Sequence, residues 1–366
     1  MTEYNTTNSM LVTAQYAGVV SVAPADSSEL FYFSMERKEI VRLSYIAISL
    51  LGIPGNILTL CVILSSRHMR RKPFNILLVQ QAVIDGCSCC LGFIGEMIQP
   101  SYSPDLDIFD SLSCHIFFSM YVFWCLITAS SYNLTAISLE RYLAISRPLE
   151  YDEETVLHRM PWVMASVWFG SFIVLIPDAI FANFVERECV LYSTLSHMGL
   201  VLLDVYYILS LMMVPLLAMV FAYAQIVRSL QQGASSFNCN INSTGNRVSL
   251  RKAQINIIQT SSSLSAFFLV CWISFWVIAI GNMFFGIPLQ PGYHITTILL
   301  LCNSCINPYV YCIRYDEFQN RVIMIFRRII GSRSSRSHTE SSVAISTVPT
   351  TREAHKNNSK KTQFTI

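Results

Sequence analysis

Residues 41–65 read VRLSYIAISLLGIPGNILTLCVILS, a run whose one charge, Arg42, stands at its edge. Roughly 20 apolar residues in an α-helix cross the ~30 Å of hydrocarbon in a bilayer, so this run reads as a membrane-spanning helix. Comparable runs follow at about 75–99, 112–143, 160–182, 197–229, 253–284 and 291–313. The whole chain agrees with them. Of 366 residues 53% are hydrophobic and 13% charged, and the mean hydropathy of +0.46 is too oily for a water-soluble protein of this size. The expected fold class is an all-α membrane protein, a bundle of seven transmembrane helices, whose odd number of crossings puts the two chain ends on opposite sides.

Orientation follows from basic residues in short loops. Arg67, Arg70, Arg71 and Lys72 follow the first span, Arg141, Arg147 and Arg159 flank the link from third to fourth, and Arg228, Arg247, Arg251 and Lys252 lie between fifth and sixth. The opposite loops carry acids, among them Asp105, Asp107, Asp110, Glu186 and Glu188. The N-terminus is expected outside, in a multi-pass protein of the plasma membrane. Residues 1–39 read as an extracellular tail with no cleavable leader, and 40–313 as the bundle. Over 314–330, Phe318, Val322, Phe326 and Ile329 recur at helical spacing while Arg321, Arg327 and Arg328 face elsewhere, as in an amphipathic helix lying in the membrane interface among lipid headgroups. Residues 331–366, rich in Ser and Thr, form a disordered cytoplasmic tail. The polar stretch from about 230 to 249 reads as a short loop.

A net charge of +2 gives no footing for nucleic acid. The 12 cysteines show neither metal-ligand spacing nor a disulfide framework. No nucleophile, metal cluster or carboxylate pair marks an enzyme. A transporter would show internal repeats and a channel rings of pore charge; neither is found.

A charged or amide group inside a span is expensive and marks a functional candidate. Asp85 stands in the middle of the second span. Asn303, Ser304 and Asn307 share one face of the seventh, and Ser130 is a further partner on the third. These groups make either a polar clasp between helices or the oxygen set for a sodium ion; no other cofactor is expected. At the cytoplasmic end of the third span stand Glu140, Arg141 and Tyr142, either a static ion pair or a switch. In the seventh, Pro308 is expected to break the helix between Asn307 and Tyr309, placing Tyr311 at a hinge.

Together these residues resemble the rhodopsin-like class of G-protein-coupled receptors over 40–328. Gly55 and Asn56 stand in the first span, Asp85 in the second, Glu140-Arg141-Tyr142 in the third, Trp168 in the fourth, Pro215 and Tyr223 in the fifth, Phe268 with Cys271-Trp272 in the sixth, and Asn307-Pro308 with Tyr311 in the seventh. The resemblance implies a receptor that passes an extracellular signal to a heterotrimeric G protein. Arg141 would open toward that partner, Trp272 would sense ligand, and Tyr223 and Tyr311 would rearrange. It also implies a disulfide between Cys114 and Cys189. The chain departs from the class where Ser274 replaces a proline of the sixth span and where Cys114 lies two residues further than usual from Arg141. Phe123 stands where amine receptors carry an aspartate, and Leu301 where opsins carry the retinal lysine.

The expected ligand pocket is lined by Glu96, Phe123, Asp204, Tyr207, Trp272, Trp276, Tyr293 and His294. Aromatic residues at such spacing also serve as plain packing. The acids would steer a cationic ligand, a peptide with a basic residue or a small cationic molecule. Asn5 is the glycosylation acceptor expected on the outer side, phosphorylation of the tail would recruit an arrestin, and Phe364-Thr365-Ile366 has the pattern of a PDZ-binding end. The start of the sixth span, Leu250 to Asn256, carries no acid to hold Arg141. Ligand-free signalling is therefore expected, lowered by Gln254→Glu.

Overall fold

The computed structural model describes residues 27–97, 120–185, 188–192, 194–237, 244–285 and 292–328. Asn5, Cys114, the tail beyond 328, and the side chains of Glu96, Cys189, Gln254 and Tyr293 lie outside the described residues.

The first helix is Ser27–Leu64, the second Pro73–Met97 and the third Tyr121–Ser146. The fourth, Glu153–Val174, ends in a turn at Leu175 and is followed by the short helix Ile176–Ile180. An antiparallel hairpin, β1 (Ala182–Val185) and β2 (Glu188–Leu191), comes next, pairing Phe184 with Cys189 across the strands. The fifth helix has three parts: α-helix His197–Tyr207, π-helix Ile208–Met213 and α-helix Val214–Phe237. The sixth is Thr244–Phe285 and the seventh Gly292–Arg314. Residues 316–328 are helical, and of these 320–328 belong to a second compact unit.

Among the described residues six helices are long and apolar enough to cross a membrane: Glu39–Leu64, Pro73–Gly95, Tyr121–Ser146, His197–Gln232, Ile258–Gly281 and His294–Arg314. The fourth helix falls outside that set because its turn at Leu175 cuts the apolar run short. It is packed in the bundle all the same, against the second and third helices. There Ile84, Leu126, Ala129 and Val167 make a buried cluster. The first helix lies against the second and seventh, the third against the fifth, and the sixth against the seventh.

The distribution of side chains is inverted relative to a soluble protein. Leu50, Ile57, Phe169, Ile173, Leu202, Leu217, Val270, Val277 and Ile313 are exposed, whereas Asn56, Asp85, Gln81, Ser130, Asn133 and Asn307 are almost fully buried. Lipid covers an apolar exterior at no cost, so polar groups collect where they can bond to one another.

Three boundaries differ from the sequence reading. The first helix begins at Ser27 rather than near 41, since Glu29, Leu30, Met35, Glu36, Arg37 and Lys38 are good helix formers that need no membrane. The stretch read as a polar loop at 230–249 is helical up to Phe237 and again from Thr244, because the fifth and sixth helices run out beyond the bilayer. Pro308 does not break its helix. A proline leaves the carbonyl four residues back without a donor; that carbonyl is on Ser304, and Asn56 Nδ2 of the first helix donates to it at 3.1 Å. Gly55 makes the approach possible: a Cβ there would lie 3.2 Å from Pro308 Cβ and Cγ. The fifth helix solves the same problem differently. In a π-turn the partner of Pro215 would be the Ser210 carbonyl, and Tyr132 Oη of the third helix donates to that oxygen at 3.2 Å.

Candidate functional site

Polar residues form a column through the bundle. At its middle Asp85 is fully buried. Ser130 Oγ donates to Asp85 Oδ1 at 2.9 Å, and Gln81 Nε2 and Asn307 Nδ2 donate to Oδ2 at 2.9 and 2.5 Å. Gln81 Nε2 also donates to Ser130 Oγ at 2.6 Å, while Asn133 Nδ2 donates to Gln81 Oε1 at 2.8 Å. Of the five residues expected around a cation, the structure joins Asp85, Ser130 and Asn307 directly. Gln81 and Asn133 are additions. Asn303 and Ser304 stand beside them, and Asn303 Oδ1, Ser304 Oγ and Asn307 Oδ1 are buried with no hydrogen-bond partner among the described residues. Orphaned buried oxygens next to a carboxylate suit a small hard cation. The donor set therefore fits sodium.

At the cytoplasmic end, Arg141 Nε and one terminal nitrogen both donate to the Glu140 carboxylate, in the fork geometry that only arginine offers. The guanidinium also lies 4.5 Å from the centre of the Phe74 ring. Tyr151 Oη donates to Glu140 Oε1 at 2.7 Å. Burial, and after it the Glu140 carboxylate, push the Tyr151 phenol above its ordinary value, so it remains a donor at neutral pH. Tyr223 connects helices: it accepts from Ser138 Oγ at 3.2 Å and shares a 3.1 Å hydrogen bond with Ser265 Oγ of the sixth. Tyr311 is buried with its hydroxyl unpaired. Asn256 of the sixth helix donates to Asp316. Lys72 Nζ meets Glu317 at 2.8 Å, and Tyr315 Oη donates to Asn75 Oδ1 at 3.0 Å. The last two contacts tie the loop after the first helix and the start of the second to the residues just past the seventh.

Toward the outer side an aromatic ladder climbs from Phe268. Ring centroids are 5.9 Å apart for Phe268–Trp272, 6.1 Å for Trp272–Phe275, 5.4 Å for Phe275–Trp276 and 5.5 Å for Phe275–Trp124. Phe123 continues it, 6.0 Å from Trp124. Phe275, absent from the sequence reading, is the hub. Trp276 is buried and its Nε1 has no acceptor among the described residues, which leaves it available as a donor. Asp204 and His294 are half-buried. Tyr207 is buried and bonded to Asp178, an acid that sequence reasoning passed over although it lies inside the fourth apolar run. The loss of a proline at Ser274 has a simple outcome: Ser274 Oγ donates back to the Val270 carbonyl at 2.7 Å, and the sixth helix contains no proline.

A family model described as "7 transmembrane receptor (rhodopsin family)" matches residues 55–311. Among curated proteins the chain is 24% identical to galanin receptor 2a of Danio rerio, over 83% of this chain and 82% of that one. It is 26% identical to somatostatin receptor type 5 of Bos taurus, over 81% and 79%. With cholecystokinin receptor type A of Canis lupus familiaris it shares 27% over 76% and 78%.

Proposed function

The chain belongs to the rhodopsin family of seven-transmembrane receptors, and from that premise we propose that its extracellular ligand is a peptide with a cationic group. It is a receptor and not an enzyme, it spans the membrane several times, and it couples ligand binding to a heterotrimeric G protein. The observation that supports the mechanism is the buried Asp85–Ser130–Asn307 cluster, which joins the second, third and seventh helices above the separate Tyr223–Ser265 and Arg141–Glu140 contacts.

Ligand entering above Trp272 would press on the ladder of rings, whose foot, Phe268, is part of the sixth helix itself. Outward movement of that helix would break the Tyr223–Ser265 bond and the Asn256–Asp316 clasp. Arg141 would then exchange Glu140 and Phe74 for the G protein. Asp85, Ser130, Asn303, Ser304 and Asn307 would hold a sodium ion, which supplies a positive charge that favours the closed column. The extracellular N-terminus, a glycan on Asn5, the Cys114–Cys189 disulfide, an interfacial helix over 314–330 and arrestin recruitment by the tail complete the reading.

The names of three relatives, receptors for galanin, somatostatin and cholecystokinin, support a peptide. Cells expressing the chain, challenged with a library of basic and amidated peptides beside a library of small amines, test it. A second-messenger response to a peptide is expected. A response to small amines alone would contradict the peptide reading and leave the receptor intact.

A further inference from the structure

Asp178 is a second acid in the bundle, about as well hidden as Asp85, being 6% exposed. The turn at Leu175 and Pro177 sets it in the short helix Ile176–Ile180, at the level where the chain leaves the fourth helix for the hairpin. Tyr207 Oη of the fifth helix donates to Asp178 Oδ1 at 2.5 Å. Tyr192, just past β2, donates its hydroxyl to the same oxygen. Oδ2 accepts no hydrogen bond among the described residues, and no cation there pairs with the carboxylate. Tyr192 holds a left-handed backbone, φ 60°, which costs a bulky residue strain. It is kept there by its own N–H on the Phe181 carbonyl at 2.9 Å and by Leu195 N–H on its carbonyl at 3.1 Å. Tyr121 and Tyr206 also lie within electrostatic range of Asp178.

A structural clasp would spend both carboxylate oxygens. Here two neutral phenols crowd onto one oxygen, and the other is left for a donor that the described chain does not supply. A buried carboxylate with only neutral partners is a counter-ion without its cation. We propose that Asp178 is the counter-ion for a ligand's amidinium, guanidinium or ammonium group, taken up at Oδ2 with Tyr192 and Tyr207 as the rim of the subsite. The inference rests on the receptor reading for its biological ligand, but its chemistry is testable without signalling.

Benzamidine, a planar cation, and benzamide, its neutral counterpart of nearly the same outline, serve as probes on the purified full chain. Thermal unfolding is followed as each is added. Benzamidine should raise the midpoint with concentration, as binding to the native state requires, and benzamide should not. Asp178→Asn should weaken benzamidine about tenfold or more, the effect of removing one partner of a charge-assisted pair. Tyr192→Phe/Tyr207→Phe, which keeps the acid, should retain the benzamidine shift and keeps the question decidable if Asp178→Asn does not fold. The proposal is overturned if the two probes act equally, if Asp178→Asn binds benzamidine as the parent does, if the double variant loses the shift, or if Asp204→Asn alone abolishes it. Failure here with nucleotide exchange intact removes the subsite and leaves the receptor. A benzamidine site in a chain that drives no exchange does the reverse.

Discussion

Asp85 was legible because a carboxylate in an apolar run needs partners, as a clasp or as an ion site, and the partners expected for it on the third and seventh helices stand around it. Raising sodium should weaken agonist binding, because an ion that prefers the closed column shifts the population toward it, and Asp85→Asn should abolish that dependence. An unchanged sodium response in the mutant would mean that the site is a clasp. Gln81 and Asn133 were not legible. An amide is tolerated at a helix surface, and Gln80-Gln81 gives no sign that both are buried or that Gln81 is the one that bonds Asp85. Asp178 could have been found by the rule that found Asp85. A second residue-scale prediction concerns Asp152, the N-cap of the fourth helix, whose carboxylate accepts from Thr155 Oγ1 at 2.5 Å and Thr155 N at 3.0 Å. Those hydrogen bonds, the hydroxyl first, hold its pKa below the usual carboxylate value. The contribution is thus fully present above the unfolded value and is lost as pH falls through the lower folded one. Amide exchange at residues 153–157 should be faster in Asp152→Ala than in the parent at neutral pH and equal in the two under strong acid. Equal exchange at neutral pH would show that the cap contributes nothing.

Helices were read correctly in number and order because each needed only an apolar run, but their ends depend on contacts no run reveals. The loop at 230–249 was drawn too long because its polar residues are compatible with helix once they stand in water. The break expected at Pro308 failed because Asn56, 248 residues away, supplies the missing donor. Close helix approach makes its own prediction. A Cβ on Gly52 would sit 2.4 Å from Cys89 Sγ, so Gly52→Ala should destabilise by about 1–3 kcal/mol, and adding Cys89→Ala should recover much of it. A thermal midpoint that does not recover in the double variant would place the fault elsewhere. At the cytoplasmic face the sixth helix lacks an acid for Arg141 but reaches Asp316 through Asn256. Removing one such hydrogen bond is worth about 0.5–1.5 kcal/mol, or about two- to tenfold in the ratio of open to closed. Asn256→Ala should therefore raise ligand-free second-messenger output by that factor at matched surface expression. Output equal to the parent's would show that the clasp holds nothing.

Over the whole molecule, polar groups gathered inside and apolar ones facing outward describe a protein whose solvent is lipid and whose function runs along its interior. An aromatic ladder on the sixth helix, the buried Asp85 cluster and the Arg141–Glu140 pair follow one another along that interior. Ligand identity was not legible at this scale, because the candidate ligand contacts come from several helices and the sequence does not say how their side chains converge. The coupling function was legible, since Glu140-Arg141-Tyr142, Asn307-Pro308 and Asp85 each sit on the expected helix. The most direct measurement is GDP release and labelled nucleotide uptake by purified heterotrimeric G proteins of each subtype, mixed with the full chain reconstituted in lipid nanodiscs. The account predicts uptake above that of empty nanodiscs for at least one subtype without ligand, and its loss in Arg141→Ala at equal thermal stability. Uptake indistinguishable from empty nanodiscs for every subtype, in the presence of the peptide library, would contradict it.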